Sequence, residues 1–141
     1  MDSMRRGRTL ALDYGQRNVG LACSDELGVT IRPLPSIPNR GRRDLLLRLS
    51  SAIADNAIDE VVVGIPWNMD GSAGDSVRRV EQFMDILRAQ LNLPLHGIDE
   101  RLSTIEAHEV WKTLRPKQQK KYRTVDSLAA AFILERFLKE S

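Results

Sequence analysis

The sequence predicts an α/β fold: one mixed sheet with helices on its faces. Two observations carry this. The first third of the chain holds three extended segments in succession, joined by short turn-like links. From residue 42 onward, helix-period and strand-like segments alternate.

"TLALDYG" opens the series, with Leu10 and Leu12 on one face of a strand. "NVGLACSD" continues it, with Val19, Leu21 and Cys23 alternating against small residues. "GVTIRPLPSI", residues 28–37, is a third extended run, and Pro33 and Pro35 assign its far end to an edge or a loop. The links Gln16–Asn18 and Glu26–Gly28 are short enough for hairpins, so the three strands form an antiparallel meander.

The period then changes. "RRDLLLRLSSAIADNAI", residues 42–58, sets Leu45, Leu46, Leu49 and Ile53 at helical spacing. "EVVVGIP", residues 60–66, is a continuous apolar run of the buried-strand type. Residues 76–91 place Val77, Val80, Phe83, Met84, Leu87 and Leu91 on one helical stripe. "LPLHGIDE", residues 93–100, is a strand ending in carboxylates. "STIEAHEVWKTL", residues 103–114, starts with a capping box, Ser103 to Glu106. Residues 124–140 form the last helix, with Val125, Leu128, Phe132 and Ile133 inward. The order is β-β-β-α-β-α-β-α-α. Residues 1–7, a basic tail, and the loop at 115–123 are the expected disordered segments.

The 141 residues fit one domain, 1–141, large enough for a core without disulfides. The single cysteine, Cys23, excludes an internal disulfide and a multi-cysteine zinc site, and reads as a packed side chain. No apolar run reaches membrane-spanning length and no signal peptide is visible, so a soluble, cytoplasmic protein without a membrane partner is expected. The net charge of +2 says little about partners.

Charge is uneven locally. "RPKQQKKYR", residues 115–123, holds Arg115, Lys117, Lys120, Lys121 and Arg123 without an acid. "RRGR" at 5–8 and "RGRR" at 40–43 are two further basic runs. Each is either a solvated face or a contact for a polyanion backbone. Tyr122 is the lone aromatic in the longest run, which argues against a base-stacking platform.

Asp13 ends the first strand, Asp99 and Glu100 end the last, and Asp126 lies in the first turn of the final helix. Each has a plain reading: a turn, a surface ion pair with Arg101, a helix N-terminal acid. Together they form a candidate cluster. Converging carboxylates repel one another unless cations neutralise them. Oxygen donors of this kind suit Mg²⁺ or Mn²⁺. Two such ions about 4 Å apart can activate a water and stabilise a phosphodiester's leaving oxygen.

"GIPWNMDGSAG", residues 64–74, is a glycine-rich link between strand and helix. It offers either loop geometry or a phosphate seat at the following helix, with Asn68 as a contact and Trp67 packed inward. Gly15 serves either a tight turn or close passage beneath a phosphate. Ser103 reads as a cap rather than a nucleophile. His96 and His108 fit no ligand spacing, and His96 reads as core or half-buried.

"ALDYGQRNVGLACSD", "VVVGIPWNMDGSAGDSVRRVEQF", "DERLST" and "VDSLAAAFIL", in this order, resemble the YqgF family over residues 8–138. Its members are called RuvX, Holliday junction resolvases or pre-16S rRNA nucleases. The resemblance implies an RNase H-like fold and a nuclease of the two-metal type that uses Mg²⁺ or Mn²⁺. It places Asp13, Glu100 and Asp126 at the catalytic, metal-holding positions, with the choice between Asp99 and Glu100 open. In the related junction resolvases a glutamate comes from the strand before the second helix, where this chain has "VGIP". Gly15, Arg17, Asn68, Gly71, Gly74, Arg101, Lys120, Lys121 and Arg123 are the expected substrate contacts. The implied substrate is structured RNA, the 5′ end of precursor 16S rRNA in ribosome biogenesis. The alternatives are branched DNA, cut by a resolvase, and a nucleic-acid-binding assembly factor with little catalysis. The oligomeric state stays open, with a monomer favoured because no dimer signal is visible.

Overall fold

A computed structural model describes residues 7–68, 70–100 and 103–140; the side chains of Ser103 and Thr104 lie outside the description. Three strands come first: β1 (Thr9–Tyr14), β2 (Asn18–Ser24) and β3 (Ile31–Pro38). They are followed by α1 (Arg42–Asp55), β4 (Glu60–Ile65), α2 (Asp75–Gln90) and β5 (Leu95–Asp99). The chain closes with α3 (Ser103–Thr113), α4 (Pro116–Tyr122) and α5 (Val125–Glu140).

The strands form one five-stranded sheet in the order β3-β2-β1-β4-β5. β1–β2 and β2–β3 are antiparallel, whereas β1–β4 and β4–β5 are parallel. The expected meander and the mixed sheet are therefore present. Pro33 and Pro35 do not end β3. It is an edge strand, where a missing N–H need not break a ladder.

Strand alternation divides the core. Leu10, Leu12, Val61 and Val63 point to one side, against Leu45 and Leu49 of α1 and Val80, Phe83, Met84 and Leu87 of α2. Ala11, Ala22 and Val62 point to the other, against Ala130, Ala131, Ile133 and Leu134 of α5. α3 packs outside α5 through Ala107, Leu128 and Ala129.

Two expectations are corrected. Residues 115–123 are not a loop: α4 occupies most of them. Pro116 stands at its first turn, where no backbone N–H is needed, and Gln118 Oε1 accepts from the Arg115 N–H. The first helix ends at Asp55 rather than 58, because the Asn56 side chain donates to the Ala52 carbonyl and Ala57 turns to a positive φ of 50°. Residues 1–6 and the proposed Ser103 cap lie outside the description. Cys23 is buried. His96 is half-buried, 3.1 Å from Glu60 Oε2 and tilted against Phe137. No described helix is long and apolar enough to cross a membrane.

Candidate active site

The far ends of β1, β4 and β5 and the start of α5 meet at a cleft of about 520 Å³. Asp13, Glu100 and Asp126 all line it, with Gly15, Arg17 and Arg79 around them. Four local features produce this convergence.

Asp13 lies two residues beyond Ala11, so pleating turns it to the α5 side of the sheet. Tyr14 faces the other way and stacks on Phe83, ring centroids 4.1 Å apart. The same alternation settles which carboxylate of "DE" faces the cleft. Ile98 packs on α5, Asp99 is turned away, and Glu100 returns to the α5 side. The Glu100 N–H donates to the Ile65 carbonyl at 3.0 Å, and Arg136 Nη1 donates to the Asp99 carbonyl at 2.6 Å, holding this strand end.

β5 is separated from β1 by β4, so Glu100 must reach across a strand. Gly64 permits it. A Cβ at Gly64 would stand 2.7 Å from Glu100 Cδ and 2.6 Å from Ile133 Cδ1. The strand that lacks an acid in "VGIP" thus supplies the space into which a carboxylate from the next strand extends.

Asp126 is placed by the seating of α5. Gly20 in β2 lies so close beneath the helix start that a Cβ there would collide with the Asp126 carbonyl. Thr124 Oγ1 accepts from the Ser127 N–H at 3.0 Å and caps the helix. Buried Ser127 donates to the Leu34 carbonyl at 2.6 Å, and Ser36 Oγ lies 2.6 Å from Thr124 Oγ1. This hydroxyl cluster joins α5 to the edge strand. Gly20, Ser36, Thr124 and Ser127 were not singled out from sequence, and Gly64, read there as a glycine of the following loop, lies inside β4. The signal for the glycines was present: a glycine inside a strand marks close backbone approach.

The electrostatics reflect crowding. Burial, then the neighbouring Asp13 carboxylate, raises the Glu100 pKa to about 9. Burial, then repulsion from Asp126, raises Asp13 to about 6, partly offset by its hydrogen bond with Glu100. Asp126 is also raised, chiefly by burial. Glu100 Oε2 is buried and lacks a hydrogen-bond partner, an arrangement that costs free energy unless something positive completes it. The donors are hard oxygens, as Mg²⁺ or Mn²⁺ require. Among the described residues, no three His, Cys, Asp or Glu close into a finished metal cage. The fit therefore rests on the orphaned oxygen and the donor chemistry.

The other expected contacts divide. Gly15 and Arg17 line the cleft. A Cβ at Gly15 would lie 2.5 Å from the Asn18 carbonyl oxygen, so the hairpin itself demands glycine there. Asn68, Gly71 and Gly74 do not line the cleft. The Asn68 side chain donates to Ser72 Oγ, and the Gly71 N–H donates to the Asn68 carbonyl at a positive φ of 87°. These polar groups are spent on the loop's own turn. Gly74 is the N-cap of α2 and packs on Asn68. Trp67 is half-buried. Lys120, Lys121 and Arg123 are exposed on and after α4 and do not line the cleft. Arg101 lies outside the described residues. Ser76 and Arg79 of α2 line the cleft and were not anticipated.

The fold is that of known resolvases. The fowlpox virus Holliday junction resolvase superposes with a TM-score of 0.57 at 13% identity, covering 95% of this chain and 99% of that one. T. thermophilus RuvC in complex with Holliday junction substrate gives 0.57 at 12% identity, covering 94% of each. In sequence, the chain is 38% identical to a "Putative pre-16S rRNA nuclease" of Koribacter versatilis, over 94% of this chain and 87% of the relative. It is 36% identical to a Roseiflexus protein of the same name, over 96% of each. The RuvX family model, described as Holliday junction resolvase, matches residues 7–140, and with relatives this similar across nearly the whole length the chain belongs to the RuvX family.

Proposed function

We propose that this chain is a divalent-metal-dependent nuclease that hydrolyses phosphodiester bonds and trims the 5′ end of precursor 16S rRNA. The observation that carries the reading is the meeting of Asp13, Glu100 and Asp126 in one cleft, with Glu100 Oε2 buried and unpartnered. The names of the relatives supply the substrate class.

Asp13, Glu100 and Asp126 would hold Mg²⁺ or Mn²⁺. When bound, such ions supply Lewis-acid activation of water and neutralise charge developing on phosphate. The chain's own residues prepare the rest. Burial and mutual repulsion keep one proton on the Glu100–Asp13 pair near neutral pH until positive charge arrives. Arg17, at the cleft rim, offsets carboxylate repulsion of the phosphate. Lys120 and Lys121 on α4, and Arg123 just after it, contribute outlying contacts. One domain, residues 1–141, carries the activity in the cytoplasm, as a monomer.

A second reading, resolution of four-way DNA junctions, is favoured by the family description and by the shared fold. The test incubates the protein with a precursor 16S rRNA 5′ fragment and with a synthetic four-way junction, in Mg²⁺ and in Mn²⁺. Cleavage of the RNA alone is expected. Symmetric nicking of the junction by a dimer, with no action on RNA, would transfer the assignment to the second reading. Asp13→Asn should lower the rate at least about 10³-fold with the fold intact, since several kcal/mol of barrier are at stake and each 1.4 is tenfold. Glu100→Gln should do the same and Asp99→Asn should not. A folded Asp13→Asn protein at full rate removes the cluster from the chemistry.

A further inference from the structure

The basic run "RGRR" at 40–43 plays no part in the site as built so far, yet the structure connects it to the cleft. Tyr14 and Arg79, which line the catalytic cleft, also line a second depression of about 330 Å³ between α1 and α2. Gly41 and Arg42 belong to that second depression and to a third, of about 460 Å³, that adds Arg40 and Arg43. Three depressions are thus joined end to end from Asp13 to the start of α1.

The charge along them is one-sided. The middle depression has no acidic residue in its lining. In the last, Asp44 is already paired with Arg48 at 2.9 Å. Elsewhere Arg8 pairs with Glu26, Arg78 with Asp75 and Arg88 with Asp85, while Arg32 donates to Asn56 Oδ1 and Arg136 to the Asp99 carbonyl. Among the described residues, Arg17, Arg40, Arg42, Arg43 and Arg79 make no ion pair. The neighbours Arg78 and Arg79 make the contrast plain. Arg78 closes on Asp75, while Arg79 donates only to the Ser76 hydroxyl at 3.1 Å and lies on the shared wall. Five arginines without an ion pair thus fall along one line of depressions.

The path is also tied to the site mechanically. The Asn39 N–H donates to the Arg17 carbonyl at 2.7 Å, and Asn39 Nδ2 donates to the Gly15 carbonyl at 3.0 Å. The segment entering α1 is therefore fastened to the turn that follows Asp13. The one aromatic at the junction, Tyr14, is stacked against Phe83, so the path offers cations rather than an open stacking face.

We infer that the phosphate backbone of a single RNA strand leaves the catalytic cleft past Arg79 and runs to Arg42, Arg40 and Arg43. This rests on the nuclease reading for its choice of RNA. Duplex, stiff over about 150 bp in DNA, follows successive surface depressions less readily than a single strand does. The track sets which side of the scissile bond is gripped, and it does so through phosphates, without reading sequence.

The test is the salt dependence of binding, followed by fluorescence anisotropy of labelled oligouridylate in EDTA, so that cleavage plays no part. Removing three contacts should make the log–log slope shallower by about 2 units, at about 0.7 per contact for single strands. Arg40→Ala/Arg42→Ala/Arg43→Ala should show this, and Arg79→Ala about a third of it. Arg88→Ala, which breaks an existing ion pair on α2, should leave the slope unchanged. An unchanged slope in a triple variant that melts like the parent overturns the track and leaves the nuclease reading standing. A loss seen with oligothymidylate but not with oligouridylate overturns it equally. A track-dependent slope in a protein that never cleaves RNA supports the track and removes the nuclease reading. If the parent binds neither oligonucleotide, both fall.

Discussion

The two faces of the sheet are packed on opposite principles. Toward α1 and α2, the layer is built from Leu10, Leu12, Val61, Val63, Phe83, Met84 and Leu87, large side chains that hold the helices off. Toward α5, Ala11, Ala22, Ala130 and Ala131 are interspersed with Val62, Ile98, Ile133 and Leu134, and Gly20 and Gly64 stand where backbones or a carboxylate come closest. The thick face supplies most of the apolar burial, which is roughly proportional to area. The thin face supplies position. There the start of α5 lies close enough to the end of β1 for Asp126 to share a cleft with Asp13.

The largest effect on rate expected from disturbing this contrast comes from thickening the thin face. Gly20→Ala forces a methyl group against the Asp126 carbonyl and must displace the start of α5. Cleavage should fall at least about 100-fold, or about 2.7 kcal/mol, with overpacking costing on the order of 1–3 kcal/mol of stability. Gly64→Ala, against Glu100 and Ile133, should act in the same direction. Rates and thermal melts of the two variants check this; full activity in either would mean that α5 has slack.

A second expectation uses pH to isolate the thin face without mutation. In the absence of cations, Glu100 and Asp13 hold protons in the folded state that the unfolded chain has released, because burial and repulsion raise both pKa values, to about 9 and about 6. Stability from this source is fully present below the unfolded values near 4. It is lost as pH rises through about 6 and toward about 9. Each pH unit crossed with one extra proton held is worth about 1.4 kcal/mol. Melts in EDTA should therefore drop from mildly acid to alkaline pH, and Glu100→Gln should flatten the drop. A parent profile that rises over this range would contradict the crowding.

The smallest effect on rate should come from the thick face. Leu49→Ala leaves a cavity beneath α1 and should cost about 2–5 kcal/mol of stability. Cleavage per folded molecule should stay within about twofold, since Leu49 does not line the cleft. A large rate loss at low temperature, with the fold intact, would show that the two faces are not separable.

The chain's local periodicities determined most of the architecture. The alternation in "TLALD" and "NVGLAC", the helical stripe of α2 and the buried run "VVVG" each follow from which residues must leave water, a property of neighbouring residues alone. The carboxylates at element ends were legible for the same reason. What tertiary structure decided is every relation between distant segments. The choice of Glu100 over Asp99 depended on the β4–β5 register, which pairs Ile65 with Asp99. The role of Gly64 depended on Glu100 crossing β4, and that of Gly20 on where α5 comes to rest, 106 residues downstream at Asp126. The loop 66–74 carried strong glycine signals, but they serve its own turn. The basic run before α5 formed a helix that does not line the cleft, while the quieter "RGRR" lines a depression joined to it. Charge and glycine content are properties of composition. Whether they face a site depends on sheet order and helix seating, and these arise only when the apolar faces of remote segments are buried together.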